Sequence, residues 1–395
     1  MKSFGQKVYI AAFKRTPIGK FMGSLATVPA VKLGVSALLA ALEETELDIS
    51  QIDEVMIGCM FGGMGQGPAR MVALGVGLTY STVCTTINKA CSSSLKATTL
   101  AAQSIALGHN RIVAAGGIEN MSLAPFFIEN YREGQSFGNS KIRDLLNSDG
   151  VFCKHSNLTM GLCSERTISK YSITREEQDN FCAESYRRAN KAWERGFYAK
   201  EVTKIVKEVK GKKIEVCEDD EYKKVNYDKI PLLKPVFESG GTITAANASG
   251  FNDGAAMLVL MDEKSLKDNE MKPIARILSY ADHEVEPVHF GTAPTGAIEK
   301  ALKRANLNIN DIQLWEINEN FSSIAIVNMK MLGLDHSKVN INGGAVALGH
   351  PFATSGARIV CTLINSLREQ NKTLGCAAIC NGGGGATAII IEVLN

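Results

Sequence analysis

The stretch ALEETELDISQIDEVMIGCMF at 41–61 aligns without a gap to ALKRANLNINDIQLWEINENF at 301–321, an offset of 260 residues. Its identical pairs include Leu47/Leu307, Ile49/Ile309, Ile52/Ile312, Ile57/Ile317 and Phe61/Phe321. Each copy reads as a helix end, a turn and a buried strand. A second echo follows in the same order. INKAC from Ile87 matches INGGA from Ile341, each then entering a helix and an apolar strand, RIVAAGG and GCAAICNGG. Two echoes in one order point to a duplicated α/β unit rather than to chance likeness between amphipathic segments.

The duplication organises the chain into two α/β halves, the first of them interrupted. The expected first half covers 1–120 and resumes at 250–272, through GFNDGAAMLVLMDE. The second covers 273–395 and starts at the strand-like PIARILSYADHEV. The intervening 121–249 is richer in charge and aromatics. It holds the helix-like TREEQDNFCAESYRRANKAWERG and a hairpin pattern, KIVKEVKGKKIEVCEDDEY. It is too long for a loop and reads as an inserted subdomain, the usual place for ligand-binding parts added to a scaffold.

Composition agrees. At 395 residues the chain exceeds what one core usually serves, and its 45% hydrophobic content is mostly small and aliphatic, which suits packed α/β layers. A net charge of +2 argues against a general nucleic-acid or membrane binder, so an anionic ligand has to be met by a local patch. The ten cysteines show no CxxC pair and no Cys/His cluster at zinc spacing, and read as reduced thiols. No apolar run is long enough to span a membrane. MKSFGQKVYIAAF lacks the marks of a signal or transit peptide, so the chain as written reads as cytosolic.

Several junctions carry residue types capable of chemistry. In TTINKACSSSLKATTLAAQSIALG, residues 85–108, Cys91 stands between a strand-like run and a helix start, where unsatisfied N–H groups favour a thiolate. In NINGGAVALGHPFATSGARIV, residues 340–360, His350 takes the matching place in the other half, before a helix opened by Pro351, and could take a proton from Cys91. Cys380 closes a strand ahead of four glycines and is a candidate acid/base, with the Gly382 N–H a candidate oxyanion donor. Asn318, in WEINENFSS, replaces the Gly58 of the first half, so a symmetric scaffold would yield an asymmetric centre. The lysines at 223, 224 and 229 are candidates for phosphate contacts.

Taken in order, NKACSSSLKA, NENFS, GGAVALGHP and CNGGGG resemble the thiolase family, over essentially the whole chain, with NASGFNDGAA and SGARIV adding to the match. Within it, INGGAVALGHP, ICNGGGGA and EPVHF look most like the branch acting on acetoacetyl-CoA. The resemblance implies an αβαβα-layered fold with mixed sheets plus a loop subdomain, no redox cofactor, and coenzyme A thioesters as substrates. It implies Cys91 as acyl-carrying nucleophile, His350 as its base and Cys380 as the group moving the α-proton. His350 with an Asn318-held water would form one oxyanion hole, and the Cys91 and Gly382 N–H groups the other. Coenzyme A contacts carry over to Tyr186, Lys224, Asn226, Lys229, Ser249, Phe290 and Phe321. A potassium ion would be held near Tyr186, Ala245, Ala246, Ala248 and Val346. The branch further implies a homotetramer, ketone-body and isoleucine metabolism, and a mitochondrial matrix location if a presequence is trimmed.

The sequence departs from the family at Ser94, Asn320, Phe352, Ala353, Thr159 and Gly291. None removes a catalytic group; together they bear on acyl chain length and branching. The main alternative is a catalytically silent acyl-CoA binder; a decarboxylative synthase is disfavoured by Cys380, where such enzymes carry a histidine. Activity is expected to fall in acid, because a protonated His350 cannot accept the Cys91 proton.

Overall fold

The computed structural model describes residues 5–62 and 65–394; the side chain of Lys224 lies outside the described residues. In the first part of the chain, strands β1 (Val8–Arg15), β2 (Glu54–Gly58), β3 (Val83–Ile87) and β4 (Ile112–Asn120) are joined by β5 (Asn252–Asp262). Their order is β3-β2-β4-β5-β1, with β2 parallel to β3 and β4, and β5 antiparallel to β4 and β1. The second part repeats it with β6 (Ala275–Glu284), β7 (Leu314–Ile317), β8 (Leu374–Asn381) and β9 (Gly385–Val393), in the order β7-β8-β9-β6. Outside β7, one parallel bridge from Trp315 to Val339 stands where the first half has β3.

The copies meet on their symmetric strands. β1 pairs antiparallel with β6 through Val8–Ile277, Tyr9–Arg276 and Ile10–Ala275. Each strand then bulges at its fourth residue, Ala11 in β1 and Leu278 in β6. The two mixed sheets therefore run into one sheet of ten strands, counting the two-residue strand Gly19–Lys20 that pairs with β5.

Helices complete five layers. The central one holds α3 (Ser93–Ala106) and α8 (Ser355–Glu369), packed against strands of both halves. Every residue of α8 from Ser355 to Leu367 is buried, as a helix covered on all sides requires. Alanines and Gly356 let α3 and α8 cross closely: a Cβ at Gly356 would sit 2.6 Å from the Leu95 Cβ. The outer layers are α1 (Ala30–Leu42) with α2 (Pro68–Val76) on one face and α6 (Ala293–Ala305) on the other. In α6, Ala297, Ile298, Ala301 and Leu302 are buried at spacings of one helical face.

Among the described residues, 121–249 adds no strand to the large sheet. It holds α4 (Met160–Lys170) and α5 (Arg175–Glu194), the latter opened by a capping box between Thr174 and Glu177. The hairpin pattern folds as antiparallel strands Ile205–Val209 and Lys212–Val216. One sequence reading is displaced. The helix after Ala345 is a single turn, Ala345–Leu348, and α8 opens only at Ser355, four residues after Pro351. Counted from the long helices, Cys91 stands opposite Ala353 rather than Ala345.

Candidate active site

Two chain corners, one from each half, build the centre. Before Cys91 the backbone passes through Ala90 at φ +46°, a left-handed conformation that a residue with a Cβ rarely adopts. The three serines that follow hold this corner. Ser92 Oγ bonds Ile379 O (3.1 Å) and Asn381 Oδ1 (2.9 Å) at the end of β8. Ser93 Oγ accepts from Lys89 N at 2.8 Å. Ser94 Oγ accepts the Ala357 N–H at 2.9 Å, so the added hydroxyl caps one of the free N–H groups at the start of α8. Before His350 the chain turns through Gly349 at φ +103°, where a Cβ would lie 2.4 Å from the Asn252 carboxamide. Asn252 Oδ1 accepts the His350 N–H at 2.8 Å.

The imidazole is fixed at both nitrogens. Ser355 Oγ donates to Pro351 O (3.0 Å) and accepts from His350 Nδ1 at 2.6 Å, which leaves Nε2 as an acceptor. That acceptor receives Asn320 Nδ2 at 3.0 Å. Asn320 Oδ1 in turn accepts from the Cys380 thiol (3.2 Å) and from Asn318 Nδ2 (2.9 Å). The Asn320 side chain and the Gly382 N–H also favour negative charge on the Cys91 sulfur. Cys91, His350, Cys380 and Asn318 thus come together around the Asn320 carboxamide, which the sequence marks only as a departure from the family.

Burial dominates the electrostatics. It pushes the Cys91 thiol up to about 12, with the Gly382 and Cys91 N–H groups working against it. The helix-start field therefore does not produce a resting thiolate, contrary to the sequence expectation. Burial also drives the Cys380 thiol well up, and the nearby Cys91 adds to this. His350 is pushed down to about 3, first by burial and then by the Arg358 guanidinium. The resting centre is two thiols and a neutral imidazole, so the acid loss of activity expected from His350 moves far below the ordinary histidine range. Burial lifts the Glu119 carboxyl to about 7 although it accepts from Phe61 N (3.2 Å) and Ala353 N (3.1 Å).

A cleft of about 140 Å³ opens onto this centre. Cys91, His350, Asn320 and Gly382 form its floor, and Ser249, Phe290 and Phe321 stand in its walls, as does Phe352. Tyr186, Asn226 and Lys229 do not line it; Tyr186 joins Ala246 and Val346 in a separate cluster, while Asn226, Lys229 and Ala245 are exposed. Ala248 lines the cleft instead. The Lys224 side chain, expected at coenzyme A, lies outside the described residues. Met160 and Gly161, beside the departure at Thr159, also line the cleft; sequence reading missed the wall residues Val151, Phe237 and Phe251, and Ser355, whose only signal was its place five residues after His350. Among the described residues no group of three or more His, Cys, Asp or Glu is placed to hold a metal ion.

This chain belongs to the thiolase family: the thiolase N-terminal domain matches residues 8–264 and the thiolase C-terminal domain residues 271–393. It is 47% identical to the probable acetyl-CoA acetyltransferase of Dictyostelium discoideum, over 98% of this chain and 94% of that protein. It is equally similar to the mitochondrial acetyl-CoA acetyltransferase of Rattus norvegicus (47%; 98% and 91%). A cytosolic acetyl-CoA acetyltransferase of Gibberella zeae is 45% identical over 98% of each chain. The crystal structure of the Acat5 thiolase of Ascaris suum in complex with coenzyme A superimposes with a TM-score of 0.93 at 44% identity, over 98% of this chain and 100% of that one.

Proposed function

We propose that the protein is an acetyl-CoA C-acetyltransferase that cleaves acetoacetyl-CoA and its 2-methyl homologue with coenzyme A, and runs the reverse condensation of two acetyl-CoA. The observation that carries this reading is the convergence of two thiols and a neutral imidazole around the Asn320 carboxamide at the floor of one cleft, Cys380 standing just behind it. Similarity to acetyl-CoA acetyltransferases over nearly the full chain supports the choice of substrate.

In thiolysis, Cys91 attacks the 3-keto carbon while its proton passes to His350 Nε2. Because both start neutral, transfer accompanies attack. The backbone N–H groups of Cys91 and Gly382 stabilise the oxyanion on that carbon. The C2–C3 bond then breaks, leaving an acetyl thioester on Cys91 and the enolate of acetyl-CoA, which the Cys380 thiol protonates at C2. A raised thiol pKa suits Cys380 to arrive as an acid. Incoming coenzyme A returns a proton to Cys380 and attacks the acetyl-Cys91 carbonyl; the departing Cys91 sulfur recovers its proton from His350.

Ser249, Phe290 and Phe321 are assigned to the pantetheine end of coenzyme A, and Tyr186, Lys224, Asn226 and Lys229 to its nucleotide end. For potassium, the half-buried Tyr186 phenol, its pKa driven upward, offers a neutral oxygen close to Ala246 and Val346; backbone oxygens of Ala245 and Ala248 would complete the set. We assign the chain three units: 1–120 with 250–272, 121–249, and 273–395. A homotetramer is supported by two uncovered surfaces, the exposed edge strand β3 and the arm bearing Phe126, Tyr131, Phe137 and Ile142. No helix among the described residues is long and apolar enough to cross a membrane, and relatives carry both mitochondrial and cytosolic names.

Intact-mass measurement after exposure to acetyl-CoA tests the reading. An acetyl adduct is expected on the native protein and not on Cys91→Ser, together with thiolysis of acetoacetyl-CoA. Binding of acetyl-CoA with neither adduct nor turnover would overturn it.

A further inference from the structure

Asn320 sits at the contact point of every group in the proposed mechanism, yet that mechanism gives it no step. Its backbone is tethered, the carbonyl accepting from both Ser249 N (3.0 Å) and Ser249 Oγ (2.9 Å). Its carboxamide orientation is set as well. Oδ1 faces two donors, the Cys380 thiol and Asn318 Nδ2, so the N–H₂ end faces His350 Nε2 and the Cys91 sulfur. Asn318 Oδ1 lies 3.5 Å from the Arg358 guanidinium, which fixes the second amide from behind.

Two consequences follow. The resemblance gives Asn318 a water to hold, but here one of its two N–H donors goes to Asn320 Oδ1, the Asn320 carboxamide stands between it and His350, and Asn320 rather than Asn318 lines the cleft. And the Asn320 N–H has an acceptor at His350 only while Nε2 is unprotonated. Once Nε2 carries the Cys91 proton, two N–H donors about 3 Å apart face one another and need a shared acceptor.

We propose that this acceptor is the enolate oxygen of the departing acetyl-CoA, and that Asn320 Nδ2 is a catalytic oxyanion donor in place of an Asn318-held water. When the C2–C3 bond breaks, its electron pair moves through C2 to the thioester oxygen. That oxygen accepts from Asn320 Nδ2 and protonated His350 Nε2. The pair returns to C2 as C2 takes the Cys380 thiol proton. Asn318 is then a positioning residue, holding the amide rather than a water.

The inference rests on the acetyltransferase reading, and two readouts keep them apart: acetyl-adduct formation on Cys91, which does not pass through the enolate, and exchange of acetyl-CoA α-protons with D₂O, which does. Asn320→Leu removes the donor and fills its space; Asn320→Asp keeps the shape and Oδ1 but loses both N–H groups. In both variants α-exchange and thiolysis kcat are expected to fall about 10²–10³-fold, well beyond whatever loss the acetylation rate shows. Asn320→Ala opens room for a water on Asn318 and should lose less than about tenfold, falling to the Leu level when Asn318→Ala is added. Native exchange in Asn320→Leu overturns the inference. So does an equal loss of acetylation and exchange in both variants, the mark of a merely structural role. Absence of an adduct on the native protein defeats the acetyltransferase reading itself.

Discussion

The corner at Cys91 and the corner at His350 are built alike and equipped differently. Each follows a left-handed residue, Ala90 or Gly349, and each precedes a buried helix of the central layer. The strand beside the first ends in Gly58, while its counterpart in the second half is Asn318. A Cβ at Gly58 would lie 2.5 Å from Ser94 N and 2.6 Å from Ser93 C, so the first half uses the absence of a side chain to bring α3 close. The second half instead has a ten-residue passage, Ala345–Thr354, which contains His350, before α8 opens, and there Asn318 and Asn320 have room to point inward. Duplication supplied two identical frames; the extra passage in one of them made space for polar chemistry.

Exchanging the equipment should break the comparison where the frames differ. Gly58→Asn, which gives the first half the residue of the second, drives a side chain into the backbone at the start of α3. A destabilisation of more than about 3 kcal/mol is expected, seen as loss of soluble protein or of the cooperative unfolding transition. Native-like unfolding of that variant would show that the first corner has slack like the second.

A smaller effect separates the corners by pH. His350 titrates near 3 in the folded protein and near the ordinary 6.5 when unfolded. Between those values the unfolded chain binds a proton that the folded chain does not, so this group costs stability as pH falls below 6.5. The stability difference between native protein and His350→Gln should therefore change by about 1.4 kcal/mol per pH unit from 6 down to 4, to the native protein's disadvantage. Denaturant titrations across that range measure it. The kcat/KM profile should correspondingly lack a His350 limb between pH 7 and 5. A limb near 6.5 that disappears in His350→Gln would contradict the burial argument.

The least change is expected where the corners touch. Ser94→Ala removes the hydroxyl that accepts Ala357 N–H and should cost about 1 kcal/mol in urea unfolding. No change would mean that α8 finds another partner for that N–H.

Much of this was legible in residue order. Strands and turns of the duplicated segment followed from apolar spacing, and the turns Ile49–Gln51 and Ile309–Asp311 keep the 260-residue offset. Cys91, His350 and Asn318 stood out by residue type at strand–helix junctions, and Cys380 at a strand end before four glycines. Asn320 was visible as a departure, but its position as hub was not, since it depends on two neighbouring amides, a thiol and a ring arriving from three segments of the chain. The ionisation state of Cys91 was misread for a related reason. A helix start can be seen in sequence, whereas enclosure by Gly382 and the other half cannot, and enclosure outweighs the helix field.

The seam between β1 and β6 has a cost during synthesis. β1 is the first strand made, yet both of its neighbours, β5 and β6, begin beyond residue 250. A growing chain must keep Val8–Arg15 unpaired until most of the protein exists, which makes this a slow topology with an apolar strand exposed to wrong partners. Once closed, the same seam ties the first segment made to the second half, so neither half can open along it without freeing the other.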